Sequence, residues 1–214
     1  MKVYRTLKSA KKNKSDYECI LSQDIDQTGR KSFVCVDEQL LSYLSNKNGN
    51  YYEVLENDAE VCIYFDIDNK EAPVGDYNEY LQIILSELNK YTYKKLDESN
   101  YCVFDSSTVN KDSFHIHTNV KFKNIRHCKE FVKSLNNKYI DPAVYTHNRS
   151  FRLVNNSKKG STRVKKYVFG NEGLKFISLI DEMIECNYEY KEIFVEDVSI
   201  DYVCDRYDEK ELEE

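Results

Sequence analysis

Val61-Cys62-Ile63-Tyr64-Phe65-Asp66-Ile67-Asp68 reads as a strand. Its period-2 alternation puts Val61, Ile63, Phe65 and Ile67 on one face and Cys62, Tyr64, Asp66 and Asp68 on the other. Upstream lie a short predicted strand at 33–36, a helix capped by Asp37 with Leu40, Leu41 and Leu44 inward, and an extended segment at 51–55. Downstream, Asp76 and Glu79 make a predicted capping box for a helix in which Tyr77, Tyr80, Leu81, Ile84, Leu85 and Leu88 share one face. Strands at 101–104 and 113–120 follow, then a helix bearing Cys128, Phe131, Val132 and Leu135 on one side. Two further strands at 151–154 and 164–169 precede a final helix at 176–184. This order predicts an α+β fold, a mixed β-sheet with helices packed on it.

The chain has 214 residues, 41% hydrophobic and 32% charged, with six Gly and two Pro. That is enough to bury a core in one domain, and it fits neither a collagenous nor a disordered composition. No repeat or linker divides the chain, so 1–204 is read as the folded core and the acidic 205–214 as a tail, flexible or the start of a linker. The longest uncharged apolar run falls far short of the roughly 20 residues of a membrane-spanning helix, and no signal-peptide-like stretch begins the chain. No membrane partner is expected, and a cytoplasmic or nuclear location is. Seven Cys form no CxxC pair, so reduced, buried thiols are expected rather than a zinc knuckle or a disulfide framework.

The formal charge of −6 hides a segregation: residues 142–171 hold seven Lys and Arg and no acid. The first fourteen residues carry Lys2, Arg5, Lys8, Lys11, Lys12 and Lys14 without an acid, which suits a solvated arm better than a phosphate-contacting one.

Three constellations can carry chemistry. Asp66 and Asp68 point the same way from one strand and repel unless a cation stands between them, so they can suit a hard divalent ion; by this segment alone the plainer reading, that they end an edge strand or cap a turn before Asn69, is favoured. In Lys111-Asp112-Ser113-Phe114-His115-Ile116-His117, alternation sets Ser113, His115 and His117 on one face, with Lys111 near. Such a row can donate to phosphate, bind a transition metal, or be a merely wet strand face. The third runs from Asp141-Pro142-Ala143-Val144-Tyr145 through Arg149-Ser150-Phe151-Arg152-Leu153 to Lys158, Lys159, Arg163, Lys165 and Lys166. Pro142 biases Asp141 to an extended conformation, and the interleaved cations and aromatics suit polyphosphate or nucleic-acid backbone as well as a solvated basic loop.

In this order the three segments resemble the catalytic core of the archaeo-eukaryotic primase superfamily, specifically the PrimPol and herpes-pox branch. The match covers about residues 30 to 165: Tyr52-Glu53-Val54 through Asp66-Ile67-Asp68 is similar to motif I, Lys111 with Ser113-Phe114-His115 to motif II, and Asp141 with Arg149, Phe151-Arg152-Leu153 and Lys158 to motif III. The resemblance implies an RRM-like primase-polymerase core joined to a second αβ module. It implies that Asp66, Asp68 and Asp141 hold two Mg²⁺ or Mn²⁺ ions, with His115 also catalytic. Lys111, Ser113, His115, Arg152 and Lys158 would bind the incoming nucleotide, and Arg149, Lys159, Arg163, Lys165 and Lys166 the DNA. The implied activity is template-dependent nucleotidyl transfer from NTPs or dNTPs in DNA replication, on single-stranded or primer-template DNA. It would act at a replication site such as a viral factory, with a helicase domain or subunit as a further partner. His117 is not part of the family pattern. No Cys/His cluster in 170–214 resembles the family's zinc module, so no zinc is expected. Either a catalytic core of a longer protein or a small polymerase is consistent with that.

Rival readings remain. His115-Ile116-His117 fits the His-hydrophobic-His motif of replication-initiator nucleases, but the helix at 128–138 carries no Tyr to serve as nucleophile. A glycosyltransferase could use Asp66 and Asp68 for a metal and a sugar nucleotide, leaving the Ser-x-His strand unexplained. A catalytically inactive nucleic-acid-binding module of a replication complex is the non-enzymatic alternative.

Overall fold

The computed structural model describes residues 2–56, 59–71, 73 and 75–189. In chain order the elements are β1 (Val3–Tyr4), α1 (Leu7–Asn13), β2 (Cys19–Asp24), β3 (Lys31–Val36), α2 (Glu38–Ser45), β4 (Tyr51–Leu55), β5 (Val61–Asn69), α3 (Asn78–Leu88), β6 (Tyr101–Asp105), β7 (Asp112–Phe122), α4 (Ile125–Ser134), β8 (Arg149–Arg152), β9 (Lys166–Gly170) and β10 (Ile184–Glu185). The fold is α+β. Local chemistry starts the helices where side-chain oxygens can accept the first free N–H groups: Thr6 from Ser9, Asp37 from Leu40 and Asn124 from His127.

The strands form two sheets rather than one. The first has the order β1-β3-β2-β4-β8, antiparallel throughout. In the second, β7 is flanked by β5 and β6, and β9 lies beyond β6, again all antiparallel. Only β10 runs parallel, beside the end of β7. The second sheet is threaded β5-α3-β6-β7-α4, after which Ile140 bridges Ile67 antiparallel on the free side of β5.

Packing follows from the alternation in β5. Ile63, Phe65 and Ile67, with Phe114 and Ile116 of β7, meet Tyr80, Leu81, Ile84 and Leu88 of α3 and Cys128, Phe131 and Val132 of α4. Each such side chain, fully buried, contributes about 1.5–3 kcal/mol. Cys62, Cys102 and Phe104 on the opposite face pack with Leu153, Val154, Leu174 and Phe176 and with β2–β4 of the first sheet. The second sheet is therefore covered on both faces, and the Asp66–His115 row of β5 and β7 lies on the face that carries Cys62 and Phe104, towards the first sheet and the chain that follows it.

Four expectations need correction. The basic N-terminus is not a solvated arm: β1 pairs with β3, and α1 buries Ala10 while keeping Lys8 and Lys12 outside. The Asp76–Glu79 capping box does not form, because α3 starts at Asn78 and Asp76 instead accepts from the Asn78 N–H two residues on. The final helix at 176–184 is absent: Ile177–Leu179 is a single 3-10 turn, and Ile184 joins β7 as a strand. The C-terminal half of the segment is engaged elsewhere, with Ile184 paired to Val120 and Glu185 to Lys121 of β7 and the Glu182 carbonyl accepting from Asn119 Nδ2 (3.1 Å). The buried Glu53 side chain of β4 holds the turn by accepting from Ile177 N (3.3 Å), Ser178 N (3.0 Å) and Ser178 Oγ (2.8 Å). The fourth is the single mixed sheet itself, replaced by the two described. The end of the expected core through 204, and the acidic 205–214, lie outside the described residues.

Candidate active site

Register decides the site. Across β5 and β7, Asp68 stands opposite Ser113, Asp66 opposite His115 and Tyr64 opposite His117, so the two rows seen in sequence are one surface. The third segment is brought in by backbone: Asp141 N donates to Asp66 O (2.8 Å) and Asp68 N donates to Tyr139 O (2.9 Å). Tyr64 and Tyr145 lock this join, since the Tyr64 hydroxyl donates to Val144 O and the Tyr145 hydroxyl donates to Tyr64 O. Asp141 then opens a 3-10 turn at Pro142–Val144, its Oδ1 accepting from Ala143 N (2.7 Å).

The carboxylates repel. Burial, then the charges of Asp68 and of Asp141, raise Asp66 from 3.8 to about 6, and only afterwards do Arg152 and Lys165 oppose the rise. Lys111 Nζ is 2.5 Å from Asp68 Oδ1. Hard oxygens under mutual repulsion are a donor set that fits Mg²⁺ or Mn²⁺. As they stand, Lys111 and the Ala143 N–H hold two of the three, and among the described residues no three Asp, Glu, His or Cys side chains are arranged to hold an ion.

His115 is buried, with Nε2 3.3 Å from Asp66 Oδ1 and its ring 4.7 Å from that of Phe151. Burial, then the charges of Lys165 and Arg152, hold it well below the usual imidazole range, so it is neutral at pH 7. Its Nδ1 has no hydrogen-bond partner. His117 differs: its Nδ1 lies 3.0 Å from Leu174 O and its Nε2 3.1 Å from Lys165 Nζ. With both nitrogens engaged, His117 offers nothing to a metal, which weighs against the His-hydrophobic-His nuclease.

Ser106, which the sequence pattern did not single out, joins β7 to the basic segment. Its Oγ is 3.1 Å from Ser113 Oγ and accepts from Arg152 Nη2 (3.2 Å), and its carbonyl accepts from Arg163 Nε (2.9 Å). Arg152 also donates through Nη1 to Arg163 O (3.3 Å), while its Nε is buried without a partner. Burial lowers the Arg152 pKa, the Arg163 charge adds to that, and the charges of Tyr52, Asp66 and Asp68 work against it. Lys158 is exposed, and its charge reaches His115.

Of the expected DNA contacts, Lys159 and Lys166 are exposed, and Arg149 and Arg163 are partly so. Lys165 is not available to DNA. It is fully buried, donates to Arg152 O (2.9 Å), and lies 4.5 Å and 4.8 Å from the rings of Phe104 and Phe151. Burial pushes its pKa down, and Glu53 is the strongest charge holding it up. Glu53, cited in sequence only as part of the first motif, is thus a buried acid facing a buried base. Two open clefts, of about 480 and 590 Å³, lie elsewhere and include none of these side chains.

No family model matches the chain. It is 26% identical over 187 residues to "Uncharacterized protein ORF49" of Ostreid herpesvirus 1 (isolate France), an alignment covering 67% of this chain and 16% of that protein. The chain therefore spans about a sixth of that relative's length, and the relative's name assigns it no activity. Among the described residues no helix is long and apolar enough to cross a membrane.

Proposed function

We propose that this chain is the catalytic core of a template-dependent DNA primase-polymerase, a nucleotidyltransferase extending a strand from NTPs or dNTPs. The observation that carries the reading is the meeting of three segments distant in sequence: Asp66 opposite His115, Asp68 opposite Ser113, and Asp141 hydrogen-bonded to the Asp66 backbone. The path β5-α3-β6-β7-α4-Ile140 supports an RRM-like core, because the strand order it produces is that of a βαββαβ unit with its last strand reduced to one bridge.

Asp66, Asp68 and Asp141 would hold Mg²⁺ or Mn²⁺, which when bound supplies charge neutralisation and Lewis acidity at the phosphates. Lys111, paired with Asp68, would be the ammonium available to a phosphate oxygen were Asp68 to hold the cation instead. Arg152, fixed through Ser106, presents a buried guanidinium with Nε unused, and His115 adds a neutral imidazole packed at a tilt against Phe151. Lys158 would supply charge from the exposed surface, within electrostatic reach of His115. Preorganised donors of this kind act where triphosphate charge develops, without reorganisation at the moment of transfer. Primer-template or single-stranded DNA, a helicase partner and a replication-site location belong to the same proposal.

Primer extension on an oligonucleotide template, with NTPs or dNTPs and either metal, tests it. Asp66→Ala and Asp141→Ala should each lower the rate on the order of 10³-fold, roughly 4 kcal/mol of transition-state stabilisation. Full activity in either variant ends the assignment.

A further inference from the structure

On the side of the second sheet that carries Asp66, one row crosses all four strands: Asp66 of β5, His115 of β7, Phe104 of β6 and Tyr167 of β9. The first three side chains are covered or partly covered, but Tyr167, on the edge strand, is 39% exposed. Its ring stands edge-on to Phe104 at 6.5 Å, and its hydroxyl donates to Gly170 O (2.8 Å), so the exposed face is held in one orientation. Gly170 has φ +94°, and a Cβ there would lie 2.3 Å from Tyr101 O, so this turn is built for glycine.

Among the described residues β9 has no neighbour beyond it, and an edge strand bearing Tyr167, Val168 and Phe169 invites either a protein strand or nucleic-acid bases. Two features favour bases. The register slips between Val103 and Phe104, a bulge of the kind that spoils an edge for strand addition, and Lys166 is exposed on the strand. Lys166 adjoins Tyr167 and is exposed, and Arg163, partly exposed, donates to the Ser106 carbonyl just past the end of β6; Asp105 opposite Lys166 and Glu172 are the acids nearby. A rigid aromatic face flanked by cations is what single strands use for sequence-tolerant stacking.

We propose that Tyr167 is a base-stacking platform for single-stranded nucleic acid running along the edge of the sheet. Three strand spacings of about 4.8 Å put it about 14 Å from Asp66, which is about four nucleotides of a strand rising 3.4 Å each. That placement, as the position of the template or primer strand, rests on the primase-polymerase reading. The stacking itself does not.

The test is fluorescence anisotropy with a labelled oligothymidylate and the same oligomer made abasic, using the whole chain without metal or nucleotide. Tyr167→Ala should bind oligothymidylate about tenfold more weakly with an unchanged salt slope, Tyr167→Phe should bind like the native protein, and the abasic oligomer should not distinguish the three. Asp66→Ala, measured alongside, should bind normally while losing primer extension. Native-like binding of Tyr167→Ala to oligothymidylate overturns the platform and leaves the edge to a protein strand, whatever the polymerase assay shows. A stacking effect without primer extension by the native chain keeps the platform and removes the polymerase.

Discussion

Asp66 carries the clearest single-residue consequence. Its folded-state pKa of about 6 lies above the ordinary 3.8, so between about pH 4 and 6 the folded chain binds a proton that the unfolded chain has lost. Stability from this group is present below about pH 4, falls as pH rises through 6, and stays lost above it. The shift corresponds to at most about 3 kcal/mol at neutral pH. Asp66→Asn keeps the shape and removes the repulsion from Asp68 and Asp141. In chelator-containing buffer its Tm should exceed that of the native chain at pH 7.5, and the two should converge near pH 4. A less stable Asn variant at pH 7.5 would mean that the opposing charges of Arg152 and Lys165 outweigh the carboxylates.

At the scale of elements, β4 and the segment after β9 depend on each other through Glu53. Glu53→Leu strips acceptors from Ile177 N, Ser178 N and the Ser178 hydroxyl and leaves Lys165 buried without its strongest opposing charge. Leaving buried donors without an acceptor costs roughly 1–3 kcal/mol per group, readable as a lower urea midpoint. Lys165→Met should cost less in the Glu53→Leu background than alone, and strict additivity would show that the two charges do not interact. The same region shows what could be read from sequence and what could not. β5, β7 and the buried faces of α3 and α4 were legible because their periodicity is local and strong. The apolar spacing after Phe176 also reads as helical, yet pairing of Ile184 and Glu185 with β7 and the bond from Asn119 to the Glu182 carbonyl are contacts distant in sequence that no local spacing reveals. Likewise Lys165 looked like one more cation in a basic run, and nothing local distinguishes it from exposed Lys166. That the strands of Asp66 and Ser113 adjoin the segment of Asp141 is in keeping with what the resemblance implies, whereas Ser106 as the join between Ser113 and Arg152 follows no sequence pattern.

For the molecule as a whole, a net charge of −6 coexists with seven cations and no acid over residues 142–171. The fold sorts those cations by depth: Lys165 and most of Arg152 are interior, while Lys158, Lys159 and Lys166 remain exposed. Counterion release responds only to charges that reach phosphate, with a log–log salt slope of about −0.7 per neutralised contact on single strands. Replacing Lys158, Lys159 and Lys166 together by Gln should therefore flatten the slope by up to about 2, and single-strand affinity should fall most at low salt. Oligonucleotide titrations across a range of KCl concentrations measure both. The acids of 190–214 are the same in the native chain and the triple variant, so the difference between the two isolates the stripe. An unchanged slope would move the strand off this face altogether, to a surface such as the outer side of α1, where Lys8 and Lys12 are also exposed.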